Sequence, residues 1–69
     1  MSAIVAAVRA EIVFLANERD GYLSQQSWLL KQSDGRPTDG SEREGGKVKM
    51  LQARIDSLEA ALLAEAVAA

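Results

Sequence analysis

The chain contains no cysteine and no histidine. Disulfides, thiolate or imidazole metal ligands and the usual histidine general base are therefore all excluded. The serines consequently lack a partner base, and the glycines and acidic residues do not have the spacing of a phosphate or calcium loop. We expect no catalytic, cofactor-binding or metal-binding residues, so the sequence predicts a protein that is not an enzyme. The absence of cysteine also fits a cytoplasmic location.

Large aromatic residues are scarce, with one Trp, one Tyr and one Phe among 69 residues. A composition with few aromatic residues but rich in alanine, leucine and valine suits close packing of helix on helix. A chain this short buries only about 60 % of its unfolded surface. Without disulfides or metals, oligomerisation is the reinforcement that remains.

The chain also lacks a long uninterrupted apolar run and a block of basic charge. Arg9 and Glu11 interrupt the apolar N-terminal stretch before it reaches membrane-spanning length, and no positive charge precedes it as in a signal peptide. The 8 basic and 10 acidic residues are spread along the chain, with a formal net charge of −2. We therefore expect a soluble protein with no membrane span and no nucleic-acid partner.

The clearest positive signal is a heptad pattern in the C-terminal third. Its apolar residues are spaced by three, four, three and four positions, and they are Val48, Leu51, Ile55, Leu58 and Leu62. This pattern is typical of a helix that lies along another helix. It predicts a helix over about residues 47–68.

The N-terminal half carries the same three-and-four spacing from Val5 to Leu29, which predicts a helix over about residues 2–32 with Ser2 as its N-cap. Asp20-Gly21 interrupts it with a turn dipeptide. The apolar phase is the same on both sides, which favours a continuous helix. The alternative is two helices that are broken near Asp20, with Ser24 capping the second.

The segment between the two helices, residues 33–46, has four glycines, one proline and no aliphatic residue. We interpret it as a long flexible loop, in which Gly35 supplies a left-handed residue and Pro37 prevents the helix from resuming. Ser41 and Glu44 have the spacing of a capping box, whereas Gly45-Gly46 favours a later helix start. A competing fold has a strand at residues 28–30 entering a β-hairpin, although residues 36–40 are poor strand sequence.

The two helices are predicted to pack antiparallel with paired residue numbers that sum to about 78. Leu30 would then face Val48, and Arg19 would pair with Glu59. In this register the first helix, about 46 Å long against about 33 Å for the second, overhangs its partner, so that Ile4, Val5 and Val8 reach the end of the second helix or pass it.

Both helices carry more apolar residues than one seam can bury. We therefore predict an all-α fold, an antiparallel helical hairpin that forms one domain and assembles into a homodimeric four-helix bundle. The residues expected at the interface between copies are Ile4, Val5, Val8, Phe14, Trp28, Leu63 and Val67.

The corresponding function is a non-enzymatic protein–protein interaction or assembly protein, acting as an adaptor, co-chaperone or structural component. Its partners would be itself and a larger protein. The alternative is a small stoichiometric inhibitor or regulator that binds a target protein through an amphipathic helix.

Overall fold

The computed structural model describes the backbone of residues 2–68 as two helices, α1 (Ala3–Gln32) and α2 (Asp39–Ala68), of 30 residues each. They pack against one another in an antiparallel hairpin measuring 50 × 15 × 13 Å. This confirms the predicted all-helical hairpin. The described residues contain no strand, so the alternative of a β-hairpin after residue 28 is wrong.

Helix α1 begins where its capping residue predicts. The Ser2 hydroxyl accepts a hydrogen bond from the Val5 backbone N–H at 3.1 Å, which satisfies one of the unpaired donors of the first turn. The helix then passes through Asp20 and Gly21 without a break, so the continuous helix is confirmed. A mid-helix glycine costs about 1 kcal/mol relative to alanine. Packing of the apolar side of α1 against α2 outweighs that cost.

The end of α1 is a Schellman turn. The Gly35 N–H donates to the Leu30 carbonyl at 2.7 Å, and the Asp34 N–H donates to the Lys31 carbonyl at 3.4 Å. Gly35 has a φ of 81°, as its position in the sequence predicts. Asp34 shares the left-handed conformation with a φ of 55°, which is uncommon for a residue with a side chain.

Helix α2 begins eight residues earlier than expected, so the long flexible loop over residues 33–46 is wrong. The connection is only residues 33–38, and α2 starts at Asp39. The start is fixed by a reciprocal cap: the Thr38 Oγ1 accepts from the Ser41 N–H at 3.1 Å, and the Ser41 Oγ accepts from the Thr38 N–H at 2.8 Å. This capping box lies one turn before the predicted Ser41–Glu44 pair.

Three glycines follow the cap within α2, namely Gly40, Gly45 and Gly46. Gly40 and Gly45 lie against α1, and this packing favours the helix there. A Cβ atom added at Gly45 would lie 2.6 Å from the Gln26 Nε2, and one added at Gly40 would lie 3.5 Å from the Leu29 Cδ1. These glycines allow the two helices to approach closely. At Gly46 an added Cβ would meet nothing within 4 Å.

The hydrophobic core lies at the middle of the hairpin. It consists of Leu15, Leu51 and Ile55, which are 5 %, 7 % and 2 % exposed. The partly buried residues packed against this core are Ile12, Ala16, Tyr22 and Leu58. Apart from these side chains and the buried Ser41, the contact between the helices is only half buried, so a single row of residues on each helix forms the interior.

The register of the hairpin also differs from the prediction. Across the contact, residue numbers sum to 69–71, as for Leu29 with Gly40 and Gln26 with Gly45, where 78 was predicted. The connection is shorter than expected, and the pairing moves with it. Arg19 therefore meets Gln52, with Nη1 to Oε1 at 2.7 Å, and not Glu59. Because the helices have equal lengths, the predicted overhang of α1 is absent.

Candidate protein interaction surface

A group of large apolar side chains is exposed on both helices. These side chains are between 46 % and 79 % exposed, and they are Ile4, Val13, Phe14, Leu23, Trp28, Met50, Leu63 and Val67. Singly exposed apolar residues are normal on protein surfaces. Among the described residues, eight large exposed ones against three buried apolar residues are an unusual distribution, and they mark this surface as the candidate functional site.

The seven residues predicted at an interface divide into two groups. Five of them, Ile4, Phe14, Trp28, Leu63 and Val67, are exposed. Val5 and Val8 are half buried, because the observed register places them against the last turns of α2. Sequence reasoning left Val13, Leu23 and Met50 out of this set, although their positions outside the two seams were the signal that could have found them.

The side of α1 that points away from α2 is uncharged from Ala7 to Trp28. We call it the outer face of α1, and its residues, spaced alternately by three and four positions, are Ala7, Ala10, Phe14, Asn17, Gly21, Ser24 and Trp28. All of them are exposed. Apart from Phe14 and Trp28 they are small, so another helix could approach this face closely.

Helix α2 has a matching uncharged side. We call it the outer face of α2, and its residues, at the same alternating spacing, are Gly46, Met50, Ala53, Ser57, Ala60, Ala64 and Val67. All of these residues are likewise exposed. Each outer face thus contains one mid-helix glycine, Gly21 or Gly46, at which an added Cβ would meet nothing within 4 Å. No contact within the hairpin explains either glycine.

A shallow groove opens at the end of the hairpin that is distant from the connection. It has a volume of about 280 Å³ and lies between the first turns of α1 and the last turns of α2. Its lining residues are Ser2, Ile4, Val5, Val8, Ala61, Leu62 and Glu65. Because the lining is mostly aliphatic, the groove suits an apolar side chain better than a polar ligand.

Polar side chains flank the core on both sides. Arg19 pairs with Asp20 at 2.9 Å and reaches across to Gln52, whose amide in turn donates to Asp56. On the other side of the core, the Lys47 Nζ lies 4.8 Å from the centre of the Tyr22 ring. These contacts help to set the register. They are partly exposed and contain no nucleophile paired with a base.

The total exposed surface is large for the size of the chain. The chain exposes 5100 Å² at a mass of 7.4 kDa, whereas a compact monomer of that mass would expose about 4200 Å². Its radius of gyration is 15.6 Å, against about 11 Å for a compact domain of this length. The excess of about 900 Å² is comparable to what one partner contributes to a standard-size interface, about 800 Å².

No family model, curated protein or solved structure matches this chain. Within residues 2–68, no three acidic side chains come together in a way that could hold a metal ion. Neither α1 nor α2, over their described lengths, combines the length and the apolar character needed to cross a bilayer. The candidate site is therefore defined by the exposed apolar side chains and the two outer faces.

Proposed function

We propose that this chain is a non-enzymatic assembly protein, a helical hairpin that associates with further copies of itself and through that assembly receives a larger protein partner. The observation that carries the proposal is that, in the part of the chain that the structure describes, eight large apolar side chains are exposed and three apolar side chains are buried. Covering a large apolar side chain is worth about 1.5–3 kcal/mol. A second copy of the chain is always available to bury these exposed side chains.

The smallest such assembly is a homodimeric four-helix bundle. Val13, Leu23 and Leu63 lie toward one broad side of the hairpin, between the seam and the outer faces, and they are 60 %, 46 % and 67 % exposed. Two hairpins stacked on that side would form two layers of two helices and bury these residues. The arrangement supplies the larger core that the isolated hairpin lacks.

The proposal is tested by sedimentation velocity across a dilution series from about 100 to 1 µM. We expect a mass of at least two chains that decreases on dilution. A helical monomer of 7.4 kDa over the whole series would contradict the proposal.

A matched pair of substitutions separates association from folding. Phe14→Ala removes an exposed side chain and should weaken association while the helicity of the monomer is kept. Leu15→Ala, at the adjacent position, removes a side chain that is 5 % exposed and should lower the stability of the hairpin itself. Equal effects of the two substitutions on association would argue against a role for the exposed side chain.

The small core favours one second function. A hairpin with three buried apolar side chains is marginal when it is alone, which suits a stoichiometric inhibitor or regulator that gains order when it binds a target through an amphipathic helix. Circular dichroism of the isolated chain distinguishes the two functions. High helicity with a sharp thermal transition favours the assembly protein, whereas weak helicity without a transition favours the regulator.

A further inference from the structure

Stacking on the broad side of the hairpin leaves the two outer faces uncovered. They point in opposite directions, because each lies on the side of its helix that is turned away from the other helix. One neighbouring hairpin cannot cover both. Phe14 and Trp28 on the outer face of α1 remain 57 % and 55 % exposed, and Met50 on the outer face of α2 remains 66 % exposed.

The charges beside the two outer faces have opposite signs on one flank. On this flank α1 carries the acidic Glu11 and Glu18, and on the corresponding flank of α2 the basic Lys47 and Arg54 precede Glu65. The other flank carries charges that alternate in sign along each helix, namely Arg9, Asp20 and Lys31 on α1, and Glu42, Lys49 and Asp56 on α2. On the first flank two α1 outer faces would therefore repel each other, whereas α1 of one copy and α2 of another attract.

Several of these charges are also without an ion-pair partner inside the hairpin. Among the described residues, Glu11, Glu18, Lys49 and Arg54 form no ion pair. Asp20 is paired with Arg19, and Lys47 with Glu44 at 3.4 Å, so these two contribute less. The unpaired charges include one complementary pair of carboxylate and guanidinium, Glu11 and Arg54, which a contact between copies can bring together.

We propose that copies of this chain also join side by side, with the outer face of α1 of one copy packed antiparallel on the outer face of α2 of the next. This inference rests on the proposed self-association and specifies a second contact within it. In this contact paired residue numbers sum to about 67, so Gly21 lies opposite Gly46 and Phe14 lies opposite Ala53. The two glycines that nothing in the hairpin explains then allow the two helices to approach closely.

The same register places all three acidic residues next to basic ones, because antiparallel helices bring their corresponding flanks together. Glu11 lies beside Arg54, Glu18 beside Lys47, and Asp20 beside Lys49. A shift by seven residues in one direction would set Asp20 against Asp56. A shift in the other direction would set it against Glu42, so both shifts create a repulsive pair.

A contact between two different faces is heterologous, so it joins copies of the chain into a row. One end of the row carries an unused outer face of α1, and the other end carries an unused outer face of α2. The row grows with concentration or closes into a ring, and neighbouring helices stay antiparallel throughout. Assembly should therefore continue beyond two chains, in contrast to a two-fold bundle, which stops at two.

Charge reversal at Glu11 and Arg54 tests this contact by sedimentation velocity at low salt. Glu11→Arg and Arg54→Glu each turn an attractive pair into a repulsive one, and each should weaken growth beyond two chains several-fold. Glu59→Arg is the control, because it changes the net charge as Glu11→Arg does but lies away from both outer faces. The helicity of each variant, measured at high dilution, verifies that the hairpin still folds.

Mixing the two defective variants, Glu11→Arg and Arg54→Glu, gives the sharpest result. In an equimolar mixture the substituted α1 face of the first variant can pack on the substituted α2 face of the second, and their unchanged faces can pack together. Every such contact again joins opposite charges, so growth should return. Wild-type growth that stops at two chains, or single variants that grow like the wild type, would overturn the side-by-side contact and leave the proposed function standing. A wild-type monomer at all concentrations would overturn both.

Discussion

Near the connection, α1 and α2 meet through glycine and serine, whereas in the middle of the hairpin they meet through leucine and isoleucine. At the first site Gly45 lies against Gln26, and Ser41 is 2 % exposed with its hydroxyl bonded to Thr38. At the second site Leu15, Leu51 and Ile55 form the core. The first site depends on close backbone approach and complete hydrogen bonding, and the second on removal of apolar surface from water.

This difference shows that one helix pair can be held by two kinds of contact along its length. Buried apolar area contributes most of the stability in the middle of the hairpin. Near the connection, capping and small residues fix where α2 begins and therefore which residues meet further along. Substitutions at the two sites should consequently differ in size and in kind.

The largest expected effect is at the middle of the hairpin. Ile55→Ala removes a side chain that is 2 % exposed and leaves a cavity, so it should lower the free energy of unfolding by about 2–5 kcal/mol. Urea denaturation monitored by circular dichroism measures the change. Met50→Ala, at a residue that is 66 % exposed, is the control and should change the stability of the hairpin little. Similar losses for the two variants would show that Ile55 is not the centre of the core.

An intermediate effect is expected at the cap of α2. Thr38→Ala removes the acceptor of the Ser41 N–H and should cost about 0.5–2 kcal/mol. Hydrogen exchange of the amides over residues 42–46 should become faster, because the first turns of α2 depend on this cap. Thr38→Ser keeps the hydroxyl and should retain most of the stability. Fast exchange over residues 42–46 in the unsubstituted chain would instead support a flexible loop.

The smallest effect distinguishes two adjacent glycines. Gly46→Ala should stabilise the isolated hairpin by up to about 1 kcal/mol, because it gains helix propensity where there is open space. Gly45→Ala gains the same propensity but pushes the Gln26 side chain away from its preferred rotamer, at a cost of about 0.5–1.5 kcal/mol. Its net effect should be near zero.

The double variant Gln26→Ala with Gly45→Ala checks that explanation. Removing the Gln26 amide should restore the gain in propensity, so the two changes together should be more stabilising than their separate effects predict. Thermal denaturation at concentrations where the chain is monomeric is the suitable measurement. Additive effects would mean that Gly45 and Gln26 are not in close contact.

Much of the fold could be predicted from the spacing of apolar residues. The two helices, their antiparallel packing and the end of α1 near Gly35 follow from periodicity and turn chemistry. The start of α2 could not be predicted in this way, because glycine in a sequence indicates flexibility and close packing equally well. Only the side chains of Gln26 and Leu29 on the other helix show that Gly45 and Gly40 serve packing.

The candidate surface could be predicted in part. Phe14 and Trp28 lie outside the apolar seam in the sequence, and both are exposed. Val5 and Val8 were expected at the end of α2 or beyond it. That expectation depended on the register, and the register depended on the length of the connection. The spacing of Thr38 and Ser41 was the overlooked signal, because serine at the third helical position can replace glutamate in a reciprocal cap.

The six-residue connection has a consequence for the route of folding. In an antiparallel hairpin, contacts beside the turn join residues that are near in sequence, such as Leu29 and Gly40, and each further pair encloses a longer stretch of chain. Since the entropy lost on closing a stretch of chain increases with its length, the pairs near the turn form at the lowest entropic cost. The hairpin should zip from the turn toward its termini, and its low contact order should make that folding fast.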